Sequence, residues 1–177
     1  MLAVAGLIVF AKPQAQQAAK TVADAPGCPG SGLFPAGVPV NRVDAAVVCL
    51  VNRQRRLHGV RPLEEQSALD AAAQAQAADV VRRRFWSHVN PDGKAPRARI
   101  EAAGYPHSPL IGENLAWGSR SEATPVRIVT GWLHSPEHRR VMLEPRFTEI
   151  GVGLALGAPQ SGVADAAVYA STFGAGR

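Results

Sequence analysis

Five histidines, at positions 58, 88, 107, 134 and 138, are the side chains of this sequence best suited to chemistry near neutral pH, and two stand in unusual surroundings. His88 follows Phe85-Trp86-Ser87 just after a segment with helical spacing, at the start of a long irregular stretch. His138 follows Ser135-Pro136-Glu137, a helix start, where the positive end of the dipole disfavours protonation and keeps an imidazole neutral near pH 7. Glu113, in Gly112-Glu113-Asn114, is a lone acid in an otherwise apolar run, so it is either solvated or partnered in a cleft. His88 and His138 are candidate Zn²⁺ ligands, with Glu113 acting as base or orienting a bound water. Two protein ligands fall short of the three typical of catalytic zinc. The same residues suit a hydrogen-bonded cluster with no ligand equally well. His107 and His134 read as exposed polar residues.

The sequence has no HExxH, no paired CxxC, no GxSxG and no glycine-rich phosphate loop, so the common hydrolase and nucleotide signatures are missing. Its 177 residues, 46% of them hydrophobic, suffice for one compact domain but not for two full ones. Sixteen arginines and three lysines against 14 acids give a net charge of +5. The arginines cluster at Arg53-Arg55-Arg56, Arg82-Arg83-Arg84 and Arg139-Arg140, each near the end of a helical segment, where cations meet the carbonyl end of the dipole. They do not form one stripe interleaved with aromatics, so nucleic acid is not an expected partner. An anionic envelope polymer or lipid surface is compatible with the charge.

The elements that must position the candidate residues follow from periodicity and caps. Residues 1–25 begin with an uncharged apolar run through Phe10, too short to span a membrane, and continue polar and Ala/Gln-rich. They read as a signal peptide and linker, which implies export and no transmembrane helix in the mature protein. A buried N-terminal strand is the alternative. In an exported protein, Cys28 and Cys49 are most simply a disulfide that ties the Pro/Gly-rich residues 26–42 to the first helix, stabilising by about 3 kcal/mol. Two unrelated buried thiols are the other reading. Asn41 is placed to cap a helix burying Val43, Val47, Leu50, Val51 and Leu57, with an exposed arginine face and a stop at His58-Gly59. Ser67 to Asp70 resembles a capping box for an alanine-rich second helix through Val81.

Residues 85–105 are irregular, with a turn at Asn90-Pro91-Asp92-Gly93 and a short helical run over 96–103. Ile111 to Trp117 suits a short strand. Thr124-Pro125 and Ser135-Pro136 each supply a cap and a first-turn proline, and the second of these helices carries His138. Phe147 to Leu156 and Ala166 to Phe173, separated by a GAPQSG turn, read as two antiparallel strands. Trp132 is expected to pack its helix on the sheet, Gly112 and Gly151 to permit close backbone approach, and Asn114 to satisfy loop backbone. Trp117 and Tyr105 could line a cleft or belong to the core.

Six blocks in order, LVNRQRRLHGVRPL at 50–63, FWSHVNPDG at 85–93, RIEAAGY at 99–105, GENLAWG at 112–118, GWLHSPEHRRVML at 131–143 and FTEIGVGLA at 147–155, closely resemble bacterial SCP-like members of the CAP superfamily. That group is named for cysteine-rich secretory, antigen 5 and pathogenesis-related proteins. The resemblance implies an α+β fold, a three-layer α-β-α sandwich with a small antiparallel sheet between helices, over residues 43–177. It implies secretion to the extracellular space or envelope, and a cleft whose two histidines fall on His88 and His138 and whose first acid falls on Glu113. The second acid of eukaryotic members falls on Ser135, with Glu137 as a substitute and Asn114 beside the set. It further implies a binding module for a lipid, sterol-like or cell-envelope ligand. No cofactor is required, and a zinc-assisted extracellular hydrolase or peptidase is the alternative.

Overall fold

The computed structural model describes residues 24–176 and the backbone of Ile8–Val9. The expected signal peptide and linker therefore lies almost wholly outside the described residues. Ile8–Val9 (β1) pairs parallel with Ala116 and Trp117.

The first helix, α1, spans Val40–Leu57, and Val43, Val47, Leu50 and Val51 are buried as their spacing requires. Two expectations for it fail. Its N-cap is Pro39, without a side-chain cap bond, rather than Asn41. Its last turn buries Arg55 instead of Leu57, which is 68% exposed. The exchange has a cause. The Arg55 guanidinium reaches four backbone carbonyls, those of Arg61 (2.8 Å), Met142 (2.9 Å), Glu144 (3.0 Å) and Phe147 (3.0 Å). These bonds satisfy a chain reversal that would otherwise bury unpaired carbonyls.

The second helix, α2, spans Ser67–Arg83, preceded by the short strand β2 (Glu64–Glu65). Its cap is Gln66, whose Oε1 accepts from Ala68 (2.6 Å) and Leu69 (3.1 Å), so Ser67 is already helical. Asp70 does not close a capping box. Its carboxylate accepts the Val152 N–H at 2.9 Å, and Gln74 bonds both backbone groups of Leu154 at 3.0 Å. Helix side chains thus occupy a strand edge that β2 covers only at Glu149 and Ile150.

After α3 (Pro96–Ala102) come β3 (Ile111–Ser119), a 3₁₀ turn, α4 (Pro125–His134), α5 (Pro136–Met142), β4 (Glu149–Leu156) and β5 (Ala166–Gly174). Strand order is β1-β3-β5-β4-β2, with β5 antiparallel to both neighbours and the two short outer pairings parallel. One face of the sheet meets α1, α4 and α5 through Ala116, Val152, Leu154, Tyr169 and Phe173. The other meets α2 through Leu115, Trp117, Val168 and Ala170. This is the expected three-layer α-β-α arrangement. The alanines of α2 come so close that a Cβ at Gly151 would overlap the backbone of Leu69 and Asp70, and one at Gly153 that of Ala73 and Gln74. Cys28 and Cys49 form the expected disulfide, with Cα atoms 5.7 Å apart. Residues 24–39 are turns held on the helices, with Asp24 accepting from Gly30 and Gly32 and the Ser31 carbonyl accepting from Val126.

Candidate functional site

Consecutive strand residues face opposite sides of a sheet. Glu113 therefore lies on the α2 side with Leu115 and Trp117, and Asn114 on the α5 side with Ala116. The candidate residues accordingly form two groups, one on each side of β3.

The first group is an ion cluster. His88 is held by a loop that leaves α2 through Arg84 in the left-handed region (φ 53°) and folds around Asn90. The Asn90 Oδ1 accepts from Asp92 (3.1 Å) and Lys94 (2.9 Å), while its amide donates to Asp79 (3.1 Å). Gln76 of α2 adds a bond to the Ser87 carbonyl at 2.9 Å. So positioned, the His88 Nδ1–H donates to Glu113 Oε1 at 2.7 Å, and Arg99 of α3 donates to Oε2 at 2.7 Å. The other Arg99 Nη donates to the carbonyls of His88 (2.9 Å) and Lys94 (2.7 Å). All three side chains are buried. Glu113 is thus partnered rather than solvated, with both oxygens engaged.

Arg99 is the member sequence reasoning missed. Two signals pointed toward it: a lone acid in an apolar run requires a cation, and Arg99 opens the RIEAAGY block. Neither singles it out among sixteen arginines.

The second group surrounds His138, which is fully buried. Ser135 is the N-cap of α5, but its hydroxyl makes no cap bond and instead meets His138 Nδ1 at 2.8 Å. The Asn114 amide donates to the His138 carbonyl at 3.1 Å, so β3 holds the helix by its backbone. The Trp132 indole N–H donates to the Leu115 carbonyl at 3.2 Å and fixes α4 beside it. Burial, and then the nearby His88, push the His138 pKa down to about 4, against an opposing pull from Glu137. The ring is neutral as expected, with burial rather than the helix dipole as the leading cause. Among the described residues, His138 Nε2 and Asn114 Oδ1 are buried polar atoms without a hydrogen-bond partner.

Other candidates stand apart. Glu137 is exposed, as are His107 and His134. Trp117 belongs to the α2 core, and the Tyr105 hydroxyl donates to Glu149. A three-ligand zinc site does not fit this set. Glu113 is committed to His88 and Arg99, and no group of three or more His, Cys, Asp or Glu among the described residues could hold a metal ion.

Comparison with known proteins agrees with this architecture. The uncharacterized protein YkwD of Bacillus subtilis is 32% identical over 114 residues, covering 64% of this chain and 43% of its own length. An extracellular protein containing a SCP domain from Bacillus anthracis superposes with a TM-score of 0.67 at 24% identity, over 77% of this chain and 41% of that one. An outer surface protein from Borrelia burgdorferi gives 0.63 at 21% identity, over 74% of this chain and 90% of that one. At these identities the structures speak for the fold alone. The chain spans less than half the length of YkwD and of the anthracis protein. Among the described residues, no helix is long and apolar enough to cross a membrane. The profile of the CAP family, described as the cysteine-rich secretory protein family, matches residues 48–170. With that match over most of its length and the fold to go with it, the chain belongs to the CAP family.

Proposed function

We propose that this domain is a secreted or envelope-held binding module, with residues 1–25 as signal peptide and linker, which receives a lipid or cell-wall ligand at His138. The observation that carries the reading is the His138 Nε2 atom: buried, on a ring neutral at physiological pH, and without a partner among the described residues. An unmet buried polar atom costs about 1–3 kcal/mol, which a ligand hydroxyl or carbonyl placed there would recover. Labour in the site is divided. The His88-Glu113-Arg99 cluster is scaffolding that holds the 84–95 loop and α3 to the edge of the sheet. His138, fixed through Ser135 and Asn114, is the contact point. Both oxygens of Glu113 are engaged by His88 and Arg99, which suits a structural role for that carboxylate.

The test is calorimetry on wild type and His138→Ala with two probes, detergent-dispersed bacterial lipid extract and soluble muropeptides. Binding of one probe to wild type, weakened at least tenfold in a variant that still unfolds cooperatively at a temperature above that of the assay, is expected. Binding of neither probe, or equal binding by both proteins, contradicts the proposal.

A further inference from the structure

A second feature lies on the outer side of α5, away from the buried ring of His138. A groove of about 400 Å³ is lined by Pro136, Arg139, Arg140, Leu143, Glu144 and Pro145. Its charges are unbalanced. Glu144 is taken by Arg146, which donates to its two oxygens at 2.7 and 3.0 Å. The only side-chain bond of Arg139 among the described residues is to His58 Nε2 at 3.3 Å, and Arg140 has no ion pair or side-chain hydrogen bond among them. Two exposed guanidinium forks therefore stand over a groove whose remaining walls are two prolines, a leucine and the Glu144 carboxylate that Arg146 neutralises. Leu57, the neighbour of His58, is 68% exposed at the end of α1.

Cations in the last turn of a helix are favoured by its dipole. That accounts for arginine at these two positions, but not for an apolar groove beneath them or for an exposed leucine at the end of α1. Paired guanidinium forks match the oxygens of a phosphate, each able to donate two bonds. Apolar walls suit an occupant that carries hydrocarbon next to its anion.

We propose that this groove is a docking site for the phosphate headgroup of an anionic phospholipid, with Arg139 and Arg140 binding the phosphate and Leu57, Leu143 and Pro145 facing the bilayer interface. The site would rest the domain on a membrane surface with α5 downward, and it does not depend on what occupies His138.

The test is cosedimentation of the full chain with vesicles of phosphatidylglycerol and phosphatidylcholine, against pure phosphatidylcholine vesicles, which measure any background from the apolar N-terminal run. Each basic residue at an anionic surface contributes roughly fivefold, so R139A/R140A should bind the anionic vesicles about 30-fold more weakly. R120A/R127A removes the same charge from another part of the chain and should stay within about twofold of wild type. Leu143→Ser should weaken binding without altering net charge. Equal losses in the two double variants would reduce the effect to overall charge and overturn the proposal. So would the absence of any preference of wild type for anionic vesicles, or full competition by soluble glycerol phosphate, which would mark a site for free anions.

Discussion

At the scale of single residues, Arg99 carries more of the site than any candidate legible in the sequence. Its guanidinium neutralises Glu113 and collects the carbonyls of His88 and Lys94, so its removal leaves a buried carboxylate and two loop carbonyls unmet. Arg99→Ala should cost about 3–5 kcal/mol in denaturant unfolding. Arg99→Lys should recover little of it, because an ammonium cannot span three acceptors on two sides of the loop. A loss under about 1 kcal/mol for the alanine variant would mean that the cluster is wetter than its geometry indicates. His88, Glu113 and His138 could be named from sequence because rare residue types sit in ordered blocks. Arg99 could not, because its type is abundant here and its partner lies 14 positions away on a different element.

At the scale of elements, periodicity located the α-helices among the described residues and both long C-terminal strands, and the prolines placed the starts of α4 and α5, whereas the starts of α1 and α2 were misread. The rules for caps favour short polar side chains such as Asn41 and Ser67. The start of α2 is set instead by tertiary structure: the Gln66 N–H pairs with the Ile150 carbonyl, and the chain turns into the helix from there. Close contact between α2 and β4 is the tightest packing in the fold. Gly153→Ala would press a methyl into the backbone of Ala73 and Gln74 and should cost about 2–3 kcal/mol or prevent folding, as thermal unfolding would show. Asp44 of α1 offers a prediction with the opposite sign. Burial, then the charges of Asp70 and Glu65, raise its pKa from 3.8 to about 7. Between those values the folded state holds the extra proton, so the contribution of Asp44 to stability falls as pH rises through that window. Asp44→Asn should therefore stabilise the protein at pH 8 by about 1–2 kcal/mol and change little at pH 4. A gain that is the same at both values would exclude ionisation as the cause.

At the scale of the whole molecule, the sandwich class was legible through the ordered blocks, but the strand order was not. Local periodicity says that a strand forms and nothing about its neighbours, and here β5, last in the chain, lies at the centre of the sheet. The disulfide joins a turn-rich segment to this frame across 21 residues, and Cys49→Ser should lower stability by about 3 kcal/mol, read as a fall in thermal midpoint. What the assembled layers achieve is a buried histidine held between β3 and α5, beside α4. With a folded pKa of about 4 against an ordinary 6.5, His138 takes up a proton less readily folded than unfolded. Its contribution is present above pH 6.5 and is lost as pH falls toward 4, by up to about 3 kcal/mol. The most direct measurement is a ¹⁵N imidazole NMR titration of His138 from pH 8 to pH 4, free and with the probe that binds. A ring that stays neutral down to about pH 4, and whose Nε2 resonance moves on addition of that probe, is the predicted result. A midpoint near 6.5, or an Nε2 resonance that no probe moves, would contradict the assignment of His138 as the contact point.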